Sequence, residues 1–146
     1  ANNLVKELKE IELWIIGDGP DRKMYEEKAK KNKVTTRVKF MGSKINPYPY
    51  MTLADYIILT SDYEGFPVTY LEAITLKKPI ITTIDVSDDE INIGKDYANI
   101  ISKEETKMQK EVSKILENPK KVKVIDLEKI ETRRMKNLEK LFDEVI

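Results

Sequence analysis

The feature that most constrains the fold is a series of short apolar runs that alternate with helical patterns. Five runs read as strands, at residues 12–16, 37–41, 56–60, 79–83 and 99–102. Helix-prone segments separate them, the clearest being 21–32 and 67–77. Parallel strands need long crossover connections, and these are usually helices. The alternation therefore predicts an α/β fold in which helices cover both faces of a parallel sheet.

The composition limits the chemistry that the chain can perform. Its 146 residues are enough for one domain, and 26 basic and 26 acidic residues give no net charge. A balanced charge disfavours nucleic acid and anionic membranes as partners. Cysteine and histidine are absent, which excludes disulfides, histidine-based triads and the usual zinc sites. No apolar run approaches about 20 residues, so we expect no transmembrane segment and a cytoplasmic location.

The stretch 64–72, EGFPVTYLE, is the strongest candidate for a binding site. It follows a predicted strand, and Pro67 suits the first position of a helix because its missing N–H has no partner there. The first backbone N–H groups of this helix would form an anion site, those of Val68, Thr69 and Tyr70. Glu72 would lie about 7 Å further along the helix axis. The alternative is an ordinary strand-to-helix junction whose glutamate is solvated.

Two other motifs carry weaker signals. The turn GDGP at 17–20 lacks the third glycine of a dinucleotide-binding fingerprint. The acidic cluster at 85–90 is better interpreted as the capped first turn of a helix than as a metal site. We therefore predict no metal ligands.

The remaining helices are predicted from prolines and apolar spacing. Prolines in the run NPYPY, residues 46–50, place a short helix at about 51–55. Ser102 and Glu105 have the spacing of a capping box before another helix. Residues 126–146 are predicted to form a charged amphipathic helix whose apolar stripe docks on this domain or on another one.

Taken together, these motifs resemble the C-terminal, donor-binding domain of retaining GT-B glycosyltransferases, the "glycosyl transferases group 1" family. The matching segments occur in the family's order over most of residues 1–117, and they are IIGDGPDR (15–22), VKFMG (38–42), NPYPYMTLADYIILTS (46–61), EGFPVTYLEA (64–73) and KPIITT (78–83). The resemblance implies a Rossmann-like parallel sheet with helices on both faces.

The resemblance also implies roles for individual residues. Glu64 corresponds to the glutamate that contacts the donor sugar, and we take it as the catalytic candidate. Glu72 corresponds to the glutamate that accepts hydrogen bonds from the ribose hydroxyls. The diphosphate would lie on the backbone amides of Gly65, Phe66, Val68 and Thr69. The base and the rest of the nucleotide would lie at the ends of neighbouring strands, against Gly17, Asp18, Gly19, Met41, Gly42 and Ser43.

The implied reaction is transfer of a hexosyl group from a UDP- or GDP-sugar to an acceptor glycan or lipid-linked glycan, with retention at the anomeric carbon. It would need no metal and no further cofactor. We expect the pathway to be surface polysaccharide or glycan synthesis, and the full-length enzyme to be cytoplasmic or peripheral at the membrane.

The chain departs from the family in what it lacks. It opens on Ala1, after the position of the family's first strand and of the Arg and Lys that face the diphosphate. We therefore expect residues 1–146 to be one N-terminally truncated donor-binding domain that is inactive without an acceptor-binding N-terminal domain. If the strand order is doubly wound, the missing strand would leave a gap in the middle of the sheet. Either another segment or a self-associating copy of the chain fills that gap, or the sheet closes up differently.

Two other functions fit the same residues. One is a non-catalytic module that binds a nucleotide or nucleotide sugar. The other is a flavodoxin-like interaction domain with no ligand in its cleft. Binding of nucleoside diphosphates separates the last of these from the other two.

Overall fold

The structure, a computed structural model, describes residues 10–60, 68–84 and 98–119. Within these ranges the chain forms two compact units, the first containing 10–50 and 102–119 and the second containing 51–60, 68–84 and 98–101. In chain order the elements are β1 (Leu13–Ile16), α1 (Arg22–Lys31), β2 (Val38–Gly42), α2 (Tyr48–Leu53), β3 (Ile57–Leu59), α3 (Val68–Thr75), β4 (Ile80–Thr82), β5 (Ala98–Ile100) and α4 (Glu105–Glu117).

The first unit is organised by the parallel pairing of β1 with β2. Alternate residues of the two strands, with Leu13 opposite Val38 and Ile15 opposite Phe40, pack with Ala29 of α1 and with Val34. The register then shifts by one, because Ile16 pairs with Gly42 and Met41 is passed over. The core of this unit therefore lies between α1 and one face of the strand pair.

The second unit contains three parallel strands in the order β3, β4, β5. The central strand β4 is buried along its whole length, as expected when neighbours cover both of its edges. Its core joins one residue of α2, three of α3 and one of β4, namely Met51, Tyr70, Ala73, Ile74 and Ile80. This packing fixes α3, whose opposite side carries the exposed Val68 and Thr75 and the half-buried Leu71 and Glu72.

All five predicted strands are present and every described pair of strands is parallel. The predicted Rossmann-like α/β fold is therefore confirmed. The gap in the sheet and self-association at that gap stay predictions. The helix predicted at residues 126–146 and the acidic segment 85–90 lie outside the described residues.

The predicted start of α2 is wrong. The helix begins at Tyr48 and not near residue 51, so Pro49 lies in its first turn. A proline is tolerated there because the N–H that it lacks would have no partner within the helix. Asn46 supports the start, since its Oδ1 accepts a 3.1 Å hydrogen bond from the Tyr48 N–H.

The capping box predicted for α4 is also wrong. The helix begins at Glu105, and Ser102 Oγ accepts from the Glu104 N–H at 3.1 Å. The Ser102 N–H donates to Glu111 Oε2 at 2.7 Å, so a glutamate further along the helix takes the place predicted for Glu105. The predicted apolar face is present, with Val112 buried in it.

No helix among the described residues is long and apolar enough to cross a membrane. The same residues contain no group of three side chains suited to hold a metal ion.

Candidate functional site

Two of the predicted binding segments meet where β1 and β2 end. The Gly17 N–H donates to the Gly42 carbonyl at 2.9 Å, which ties the turn after β1 to the end of β2. Gly17 has a φ of 126° and Gly42 a φ of 68°, and both values lie where a side chain is disfavoured. The structure thus brings residues 17–19 and 41–43 together, and their proposed role toward a nucleotide stays a prediction.

The turn after β1 is held by its own polar groups. Asp18 Oδ1 accepts from the Gly19 N–H at 3.1 Å, and the Gly19 carbonyl accepts from the Arg22 N–H at 3.2 Å. All three residues Gly17, Asp18 and Gly19 are exposed. At the end of β2, Met41 is half-buried and Ser43 is exposed. The segments therefore present backbone and short polar side chains to solvent.

Arg22, which was not predicted as a site residue, lies between these two segments. Its Nε donates to Glu26 Oε1 at 2.8 Å, and its Nη1 lies 3.5 Å from Asp18 Oδ2. The hydrogen bond to Glu26 raises the pKa of the guanidinium above its ordinary value. Nη1 also lies 3.6 Å from the position that a Cβ on Gly42 would occupy. The guanidinium therefore lies beside both turns.

The sequence did contain a signal for Arg22. Asp18, Arg22 and Glu26 are spaced by four, which is the spacing at which charged side chains meet on a helix. That spacing predicts an ion pair, and it does not reveal that the pair lies beside Gly42.

In the second unit, the predicted site residues lie at the start of α3. Val68 is the first helical residue and is exposed, while Thr69 and Glu72 are half-buried. Glu72 lies four positions after Val68, about 6 Å along the axis, on the same side of the helix. Glu72 is therefore one turn away from the first N–H groups of α3, on the side of the helix that carries Val68. Glu64, Gly65 and Phe66 are outside the described residues.

A charged and aromatic cluster covers the outer face of the β1–β2 pair. Glu12 accepts from Lys39 Nζ at 2.8 Å and from Trp14 Nε1. The hydrogen bond from Lys39 is the main cause that holds the pKa of Glu12 below its usual range. The rings of Trp14 and Tyr50 meet edge to face at 6.2 Å between centroids. Tyr50 therefore packs against the sheet.

Comparison with known proteins identifies the family. A family model described as glycosyl transferases group 1 matches residues 1–131. The chain belongs to the glycosyl transferases group 1 family. One relative, the lipopolysaccharide core biosynthesis glycosyltransferase LpsD of Rhizobium meliloti (strain 1021), is 30% identical over 83 residues, which cover 55% of this chain and 24% of LpsD. The curated relatives that this group 1 chain matches are far longer than the matched part, which spans 18–24% of them.

Solved structures show the same fold at low sequence identity. Sucrose-phosphate synthase from Thermosynechococcus elongatus superposes with a TM-score of 0.70 at 16% identity, covering 98% of the group 1 chain and 41% of that enzyme. Anabaena HepE, solved in complex with UDP, gives a TM-score of 0.67 at 16% identity, with 95% and 44% covered. At such identities the likeness establishes the fold, and function has to be argued from the residues.

Proposed function

We propose that this chain is the donor-binding part of a glycosyltransferase of the hexosyltransferase type. The whole protein would move a sugar from a UDP- or GDP-sugar to an acceptor, with retention at the anomeric carbon, in the synthesis of a surface polysaccharide. Family membership supports the reaction class. The name of LpsD supports the lipopolysaccharide setting, and the UDP complex of HepE supports the donor class.

The observation that carries the proposal is the position of Glu72 one turn after the start of α3, on the side of the helix that carries Val68. The first turn of a helix presents unpaired N–H groups and the positive end of the helix dipole, which together bind phosphate. A half-buried carboxylate about 6 Å along the same side suits the ribose of a nucleotide whose diphosphate rests on that first turn. Glu72 would then accept hydrogen bonds from the 2′ and 3′ hydroxyls.

In this mechanism the chain acts by positioning and by electrostatic stabilisation. As the sugar leaves, negative charge develops on the diphosphate, and amides that already point at it stabilise that charge without reorganising. The amides assigned to this role are those of Gly65, Phe66, Val68 and Thr69. Glu64 is proposed to hold the hydroxyls of the donor sugar, which orients the anomeric carbon toward the acceptor.

The other parts of the reaction are proposed to lie elsewhere in the whole protein. These are the acceptor-binding domain and the cations that face the diphosphate. We place the protein in the cytoplasm, and at the membrane surface when its acceptor is lipid-linked. The isolated chain is then expected to bind donors without steady sugar transfer, and sustained transfer by this chain alone would contradict the assignment.

The test measures binding of UDP and of 2′,3′-dideoxy-UDP to the full-length protein by calorimetry. Replacing Glu72 with glutamine removes a charged hydrogen-bond acceptor worth about 1.5–3 kcal/mol. We expect Glu72→Gln to weaken UDP binding by about 10- to 150-fold. Binding of the dideoxy analogue should be nearly unchanged, because that analogue has no hydroxyls for Glu72 to hold.

Glu27→Gln is the matched control, since Glu27 is an exposed helical glutamate in α1. An equal loss of affinity for both ligands in Glu72→Gln would contradict the ribose assignment. A protein that binds UDP-sugars but transfers no sugar to any acceptor would be a binding module and not an enzyme.

A further inference from the structure

The guanidinium of Arg22 occupies the junction of the two turns proposed to hold the nucleotide. It lies 3.5 Å from Asp18 in the first turn and 3.6 Å from the Cβ position of Gly42 in the second. Both turns follow the carboxyl ends of parallel strands, where ligands of open α/β sheets bind. A ligand that bridges these turns would therefore meet the Arg22 side chain.

The guanidinium retains hydrogen-bonding capacity at this position. Arginine has five N–H donors, and within the described residues Nε faces Glu26 and one Nη1 hydrogen can face Asp18. The remaining donors belong to the Nη edge of the group. This side chain is 36% exposed, so a ligand can reach that edge while Glu26 holds the other side.

The local charge argues against a phosphate as the partner of this edge. Two carboxylates, those of Asp18 and Glu26, flank one guanidinium, which leaves a net negative charge around the group. A diphosphate placed here would be repelled by the carboxylates. The carboxylates would not repel a neutral heterocycle that offers an exposed oxygen to the guanidinium.

We propose, resting on the function proposed above, that Arg22 donates from its Nη edge to a carbonyl oxygen of the donor base. Guanine offers O6 with N7 beside it, and uracil offers O4, whereas adenine presents its N6 amino donor at the corresponding position. Two donors facing each other cannot form a hydrogen bond. Arg22 is thus a specificity residue that favours uracil or guanine nucleotides over adenine nucleotides.

The test compares the affinities of UDP, GDP, ADP and pyrophosphate for the full-length protein. The wild type is expected to bind UDP or GDP at least about tenfold more tightly than ADP, as one good arginine–base contact allows. In Arg22→Gln most of this preference should disappear, while pyrophosphate affinity stays the same. Arg22→Lys, which keeps the charge but not the planar fork, should retain part of the preference.

Two controls separate base contact from structural support. Glu26→Gln removes the tether of the guanidinium and leaves its donors, so base preference should survive in this variant. Lys23→Gln removes an exposed cation from the same helix turn and should change nothing. An equal loss for all four ligands in Arg22→Gln, together with the same loss in Glu26→Gln, would show that Arg22 only supports the turns and would overturn the proposal.

Different results would contradict the role of Arg22 and the donor-binding function on which it rests. Selective binding of UDP or GDP that is unaffected by every Arg22 substitution overturns the role of Arg22 and leaves the donor-binding function standing. Tighter binding of ADP than of UDP and GDP by the wild type also overturns the role of Arg22. A wild type that binds no nucleoside diphosphate overturns both proposals.

Discussion

Gly42 ends β2 with a φ of 68°, and replacing it with alanine should destabilise the protein by a predictable amount. A left-handed conformation costs a residue with a Cβ about 1–2 kcal/mol. Steric contact adds little, because the new Cβ would meet its nearest neighbour, Arg22 Nη1, at 3.6 Å. Loss of chain freedom in the unfolded state offsets about 0.4–1 kcal/mol of this cost. The net loss expected for Gly42→Ala is therefore about 1 kcal/mol.

Gly19→Ala is a control that removes the unfolded-state contribution. Gly19 has no positive φ, and a Cβ there would meet nothing within 4 Å. Since both variants restrict the unfolded chain alike, the difference between them isolates the backbone strain, about 1–2 kcal/mol. For a chain of this length that difference corresponds to about 2–8 °C in Tm.

Urea and thermal unfolding followed by circular dichroism measure both variants. Gly42→Asn should be less destabilised than Gly42→Ala, because asparagine adopts the left-handed region more readily. Equal stabilities for Gly42→Ala and Gly19→Ala would refute the strain argument. So would a Gly42→Asn variant that is less stable than Gly42→Ala.

Two further predictions concern the core and the pH dependence of stability. Ile81 is fully buried, whereas Ile58, its partner across the β3–β4 ladder, is 42% exposed. Ile81→Ala should therefore cost about 2–5 kcal/mol and Ile58→Ala clearly less, and equal losses in urea unfolding would contradict this packing. The pairing with Lys39 lowers the pKa of Glu12 in the folded protein. It therefore stabilises the fold fully at pH values above the unfolded glutamate pKa of about 4.3. This contribution is lost as the pH falls through the pKa that Glu12 has in the folded protein. NMR titration should show the Glu12 pKa rising toward its usual range in Lys39→Gln, and an unchanged value would refute the pairing.

The strands were predictable because their signals are local. Each described strand agrees within two residues at either end with an apolar run bounded by turn residues, as with Ile80–Thr82 after Pro79. Parallel pairing also followed from the sequence, since helices separate the runs and antiparallel hairpin turns are lacking. The helix starts were harder to predict. Pro49 is compatible with either a loop or a first turn, and only the contacts of its neighbours decide between them.

The candidate site was predictable to the extent that its residues belong to one continuous motif. The glycines of the GDGP motif predict the turn at 17–19, and Pro67 predicts the start of the helix at 68–75. The place of Arg22 was not, because it depends on which residue of β2 lies opposite the end of β1. That pairing is set by a one-residue register shift between distant segments, and local spacing carries no information about it. The same limit explains why the hydrogen bond from the Ser102 N–H to Glu111 was not predicted.

The register shift at Met41 decides which side of the β1–β2 pair the following residues face. Successive residues of a strand point to opposite sides, and an extra residue reverses that alternation for everything that follows. Val38 and Phe40 lie before the shift and remain in the core, whereas Gly42 and Ser43 lie after it. Deleting Met41 would remove this extra residue, so that Gly42 would follow Phe40 directly and both it and Ser43 would change side. The length of the chain at this one position therefore sets how the end of β2 meets the turn after β1, where the Gly17 N–H donates to the Gly42 carbonyl.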